Sequence, residues 1–198
     1  MKSLLFFILL SGFIFGDINN TRYGAGLDIG SKGSGIFFNY LIGNTEKNLD
    51  ILCELRYFDI KGETESIVYD YWTGQYITIS GQNLILIPFL VGVNYHPFAG
   101  KIANNFSPFI TLRGGTNLAI DGEEGDGSYK QKWSKAKTHW SNAGFIGAGV
   151  EFRWYNQSSI ALHIGADILK LSQKADEKDD YSGLLIHISF NRFVKNRY

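Results

Sequence analysis

His163, Asp167, Glu151 and Ser189 are the residue types from which a hydrolytic group is assembled: a hydroxyl nucleophile, an imidazole base and a carboxylate to orient it. They lie in stretches such as IALHIGADIL (160–169), where every second side chain is aliphatic or small and the polar residues fall between. The same spacing suits residues that only complete a hydrogen-bond network inside a folded sheet. Catalysis requires the groups to meet within hydrogen-bond reach at a place a substrate can enter.

Other chemistry is less well supported. His96, His139, His163 and His187 show no helical ligand spacing, and Cys53 is the single cysteine, so neither a paired-cysteine metal site nor an internal disulfide is expected. Cys53 reads as an apolar filler in a strand-like run. The acidic run DGEEGDG (121–127) offers oxygen ligands to Ca²⁺ but lacks the EF-hand order and reads as a solvated loop. GFIGAGVEF (144–152) has the look of a dinucleotide glycine turn, yet it lies inside an alternating strand with no helix after it. No metal and no cofactor is expected.

The elements that would carry these residues follow from composition and periodicity. A chain of 198 residues suits one domain, and 19 basic residues against 19 acidic give no electrostatic basis for binding nucleic acid. With 23 Gly, 15% aromatic residues and 3 Pro, the composition favours strands over helices. The leader MKSLLFFILLSGFIFG (1–16) reads as a secretory signal peptide, which leaves 17–198 as the mature domain. Eight strands are predicted, over 22–29, 35–42, 49–60, 83–96, 108–120, 142–154, 159–171 and 183–193.

A period of two runs through them. Ile146, Ala148, Val150, Phe152 and Trp154 share one face against Gly147, Gly149, Glu151 and Arg153; Leu184, Ile186, Ile188 and Phe190 oppose His187, Ser189 and Asn191. Such a pattern fits a soluble barrel with its apolar face inward, or a membrane barrel with it outward. The composition of the polar face separates the two. That face is rich in glycine, and its charges are matched, Asp28, Glu54, Glu151 and Asp167 being available to Arg56, Arg113 and Arg153, while most lysines lie in loops. Water-exposed faces carry abundant Lys and Glu, whereas a narrow lumen holds small residues and paired charges. The expected architecture is an all-β, eight-stranded antiparallel up-and-down transmembrane barrel with a polar lumen. Its lumenal network is Asp28, Glu54, Arg56, Arg113, Glu151, Arg153, His163, Asp167 and His187.

Strand length agrees, since about 9–11 residues cross a bilayer at a tilt. Tyr23, Tyr40, Tyr57, Tyr95, Trp140, Trp154 and Tyr155 near strand ends suit interfacial girdles. The longer connections, GETESIVYDYWTGQYITISGQ, DGEEGDGSYKQKWSKAKTHW and SQKADEKDDY, all fall on one side, which is extracellular if both termini are periplasmic.

LILIPFLVGVNYHPF (84–98) followed by FSPFITLRGG (106–115) is similar to the strand pair common in small eight-stranded bacterial outer-membrane β-barrel proteins, the OmpA-like and OmpX-like group. The resemblance covers roughly residues 21–193, and the last strand resembles the assembly signal of that class with Phe190 as its terminal aromatic, although NRFVKNRY continues past it. It implies an outer-membrane location, with membrane lipid and the assembly machinery as partners. The group includes anchors, adhesion and defence proteins and a few lipid-modifying enzymes, so fold alone does not choose among them. The expected role is a structural or surface-binding platform in which Tyr69, Tyr71, Trp72 and Tyr76 of one loop and Trp133 of another meet an extracellular ligand or surface partner. Those aromatics equally suit a hairpin that extends the strands above the membrane. Alternative roles are a lipid A hydrolase resembling the outer-membrane deacylases, using His163 with Asp167 or Glu151 and Ser189, or a narrow small-solute pore.

Overall fold

The computed structural model describes residues 20–44, 48–61, 66–79, 83–98, 101–102, 105–122, 136–154, 157–175 and 178–194; the leader therefore lies outside the described residues. In chain order the strands are β1 (Asn20–Gly30), β2 (Gly33–Asn44), β3 (Leu49–Lys61), β4 (Ser66–Asp70), β5 (Gln75–Ile79), β6 (Asn83–Tyr95), β7 (Phe106–Asp121), β8 (Lys137–Trp154), β9 (Ser158–Ala175), β10 (Lys178–Asp180) and β11 (Gly183–Phe193). Eight long antiparallel strands form the barrel in the order β1-β2-β3-β6-β7-β8-β9-β11, and β11 returns to pair with β1. Each coincides with one run of sequence alternation. β4 and β5 form a separate two-stranded hairpin rather than an open loop. Closure leaves no free sheet edge, which is the condition for a sheet to survive in lipid.

The strands are strongly staggered. From Cys53 the paired residues lead one way through Val91, Gly114 and Gly144 to Ile168, and the other way through Tyr40, Tyr23 and Arg192 to Ser158. The stagger around the barrel is therefore 168 − 158 = 10 residues, and it obliges the strands to tilt. The termini and the connections after β2, β6 and β8 lie at one end. The β4–β5 hairpin and the connections after β7 and β9 lie at the other, the far end.

Side-chain polarity is inverted relative to a soluble protein. Phe38 is 60% exposed, Leu112 59%, Ile164 55% and Leu184 68%, whereas Asp28 and Arg56 are both 0% exposed. Large aliphatic side chains turned outward all round a closed sheet are stable only against hydrocarbon. The outward face is a lipid-facing belt, and the barrel spans a membrane.

The lumen differs from the expectation in one respect: it is not polar throughout. Its far end is filled by Phe58, Ile60, Leu84, Leu86, Leu90, Phe145, Leu169, Leu171 and Leu185, with Tyr181 closing over them and donating to the Ala175 carbonyl at 2.7 Å. The reason lies in β6, where LILIPFL is apolar on both faces, so Ile85 and Ile87 meet lipid while Leu84, Leu86 and Leu90 fill the lumen. Glycine makes the room. Gly26 lies directly across from Phe37, whose ring would touch a Cβ there at 2.3 Å. A Cβ on Gly165 would meet the Phe145 ring at 2.6 Å. The glycine-rich inner face is thus the counterpart of inward aromatic rings, each ring covering backbone that a glycine leaves bare.

Candidate functional site

The polar half of the lumen is a layered ionic core. Nearest the termini, Arg22 on β1 reaches across to both Glu151 on β8 and Asp50 on β3. Arg153 adds a 2.7 Å ion pair to Glu151, and Ser159 donates to the same carboxylate at 2.7 Å. Beside them Ser107 and His96 share a 2.8 Å hydrogen bond, and the other nitrogen of His96 lies 3.2 Å from Asp50.

The next layer is built on Glu54. Arg113 Nη1 lies 2.7 Å from both of its oxygens, and Arg56 Nε donates to it at 2.6 Å. Arg56 also reaches Asp167 at 3.2 Å and lies 3.7 Å from Asp28. Asp28 Oδ1 in turn shares a 2.5 Å hydrogen bond with His187 Nδ1. Lys32, from the β1–β2 turn, folds back into the barrel onto Asp167. Phe145 separates this layer from the apolar end and carries both guanidinium groups on its ring, at 4.9 Å for Arg56 and 5.0 Å for Arg113.

The core is balanced: Arg22, Lys32, Arg56, Arg113 and Arg153 against Asp28, Asp50, Glu54, Glu151 and Asp167. Charge buried this deeply persists only when paired. His163 Nε2 sits 2.9 Å from Arg113 Nη2, and since a guanidinium can only donate, that nitrogen is the acceptor and carries no proton. The His163 and His187 rings lie 4.0 Å apart, with Phe37 stacked on His187 at 3.6 Å.

Eight of the nine lumenal residues read from the sequence lie buried in this core. Arg153 does not lie deep in the lumen: it stands at the termini rim with its side chain 17% exposed, because its strand ends one residue later at Trp154. The hydrolytic set does not assemble. His163 spends its Nε2 on Arg113, Asp167 is committed to Lys32 and Arg56, and Ser189 accepts from Asn191 at 3.3 Å.

A different Ser107–His96–Asp50 line does form, but Ser107 is 6% exposed and Asp50 also holds Arg22, so the line closes the barrel end rather than presenting a nucleophile. The network read from the sequence left out Arg22, Lys32, Asp50, His96 and Ser107. The parity of Asp50 with Glu54 and Arg56 on β3 was the available signal for the first carboxylate. Nothing in the local sequence says that a turn lysine folds inward.

The interior cavity, lined by residues including Arg22, Asn94, Glu54 and His187, has room of about 20 Å³ for the centre of a water molecule, enough for about one water. Reconstituted in planar bilayers, the barrel should therefore show no large unitary conductance; reproducible large steps would mean the plug and ionic core open in the membrane.

At the far end the β4–β5 hairpin carries the loop aromatics. Tyr69 pairs across the strands with Tyr76, the rings 5.1 Å apart, and meets Tyr71 edge-on at 5.2 Å. Gly74, at φ 65°, supplies the left-handed turn residue between the strands. Trp72 is 98% exposed, Tyr71 89% and Tyr76 75%. Trp133 and most of the acidic run lie outside the described residues.

An apolar belt around a closed ionic interior of eight antiparallel strands defines the small outer-membrane β-barrel fold. Among solved structures, this chain is similar to Neisserial surface protein A, with a TM-score of 0.56 at 10% identity over 87% of this chain and 94% of that one. It is also similar to a major outer membrane protein from Thermus thermophilus, with a TM-score of 0.53 at 11% identity over 88% of this chain and 99% of that one. The likeness is one of fold. No family model matches the chain, and no curated protein matches its sequence.

Proposed function

We propose that this outer-membrane barrel is a rigid surface-binding platform, its far end turned to the cell exterior and its β4–β5 hairpin presenting Tyr69, Tyr71, Trp72 and Tyr76 to a surface partner. The exposure of Trp72 and Tyr71 at the turn of a hairpin carries this reading. Rigid aromatic side chains give large contact area at small entropic cost, and loops on a fixed scaffold are common binding elements. The closed interior supports it too, since a filled lumen leaves the outer loops as the surface on which function acts. The longer connections at the far end support the orientation.

Trp72→Ala should leave the barrel folded, read as unchanged heat-modifiable migration on a gel, while attachment of whole cells to host or neighbouring surfaces falls several-fold. Attachment equal to that of the unsubstituted protein, in a strain where deleting the whole protein abolishes it, would remove the hairpin from the binding role.

A further inference from the structure

We infer that the surface partner of the hairpin, on the binding role proposed for it, is a polypeptide that docks as an added strand. It lies extended along the edge of β3 and β4, above the β1–β2 turn. The closed barrel has no free edge within the membrane, but its far rim is uneven. Pairing of β2 with β3 stops at Gly35 and Phe58, whereas on its other side β3 stays paired with β6 through Asp59, Ile60 and Lys61. β4, next in the chain, pairs with β5 alone among the described residues. The sides of β3 and β4 turned away from β6 and β5 are therefore a row of backbone N–H and C=O groups with no strand against them.

The opposite flank of the same step in the rim is protected. There β9 also outruns its neighbour, since β11 joins it only at Gly183 and Asp167, yet β10 covers the excess, with Lys178 opposite Ala175 and Asp180 opposite Lys170. β10 is three residues long, wholly charged (Lys178, Asp179, Asp180) and irregular in register, the features by which an edge refuses a further strand. β4 has none of them. SIVYD and QYITI pair without a break from Ser66 and Ile79 to Asp70 and Gln75, and they contain no Lys, Pro or Gly and one charge, Asp70 beside the turn. A two-stranded ribbon is marginal in water, and a third strand is what consolidates it.

The occupant is a different polypeptide rather than a second copy. Copies in one membrane all stand the same way up, so two such edges would meet as parallel strands related by rotation about the membrane normal. That rotation sets each residue level with itself, N–H against N–H, whereas parallel pairing needs the groups that face the partner to alternate in height between the two strands. A foreign segment is under no such constraint. In strand addition the main-chain bonds supply affinity, and the side chains beside the edge supply preference. On β4 that side chain is Tyr69, 41% exposed with Tyr71 edge-on to it at 5.2 Å, which favours a segment placing an aromatic or β-branched residue alongside.

The test uses the full barrel in nanodiscs of zwitterionic phospholipid and, as probe, short peptides selected on it from a random displayed library. Synthetic copies of the recovered peptides should slow hydrogen exchange several-fold at alternate amides of Ser66–Asp70, those not bonded to β5, while the amides of β5 that point away from β4 keep their rates. Methylating every second amide nitrogen of the peptide should abolish binding for one set of alternate positions and spare it for the other, because an added strand is held by one edge. No peptide recovered, protection elsewhere than on β4, or equal binding by the two methylated forms would each overturn the inference. Its failure is distinct from failure of the binding role. If Trp72→Ala lowers cell attachment while no peptide protects β4, the hairpin binds through side chains and the strand edge alone falls. If peptides protect β4 while Trp72→Ala leaves attachment unchanged, the edge stands and the aromatic contact falls.

Discussion

A barrel carrying Glu54→Ala should lose about 3–5 kcal/mol of stability, the usual result of stripping one partner from a buried charge network. Glu54 is 1% exposed and is the shared acceptor of Arg56 and Arg113, neither of which can give up its proton or reach water. The expected measurement is a large drop in the urea midpoint for unfolding from lipid vesicles, with little folded band surviving on a cold gel. Glu54→Gln keeps the shape and one acceptor oxygen and should cost less. Glu151→Ala should shift the midpoint in the same direction by a smaller amount, because Arg22 keeps Asp50 and Arg153 is partly solvated at the rim. If Glu54→Ala unfolds with the midpoint of the unsubstituted protein, the ionic core is not what holds the staves together.

Phe145→Ala is the second large effect, about 3–5 kcal/mol by the usual cost of removing a buried ring. The ring is 1% exposed, lies against Arg56, Arg113 and His163, and fills the space left by Gly147 and Gly165. Its loss makes a void with guanidinium groups on one side, which water would enter, unlike a purely apolar cavity. Besides the lower midpoint, unitary currents larger than those of the unsubstituted barrel are expected in planar bilayers. A stable and silent Phe145→Ala barrel would show that the apolar plug alone seals the lumen.

Much of this was legible as parity. A strand has two faces, and residues such as Asp28, Glu54, Arg56 and Glu151 sit between aliphatic, aromatic or cysteine neighbours, so the local pattern assigns them to the inner face without knowledge of register. In β6 the parity carried back from Gly92 and Asn94 sets Ile85 and Ile87 outward and Leu84 and Leu86 inward, as found, but parity says nothing of what an inward apolar run does, and half of that strand became an unforeseen plug.

Distance in the chain hides the rest. Asp50, His96 and Ser107 meet through the stagger of β3, β6 and β7, and Lys32 reaches Asp167 only because β9 returns near β1 through β11. The β4–β5 hairpin was visible as clustered aromatics, but its pairing was not, since SIVYD and QYITI fit a loop or two short strands equally well.

The stacking of Asp28, His187 and His163 bears on how the cylinder is zipped shut. Asp28 and His187 are directly opposed across the β1–β11 seam, the last pairing the chain can make, and His187 is directly opposed to His163 on β9. A slip of two residues at the seam would preserve which side chains face lipid, so hydrophobicity cannot detect it. It would, however, set Asp28 against Leu185 or Ser189 and strand a carboxylate inside the membrane. The interior therefore works as a tumbler lock: only one alignment of first and last strand turns it, and a barrel zipped out of step is left open to being unzipped and tried again.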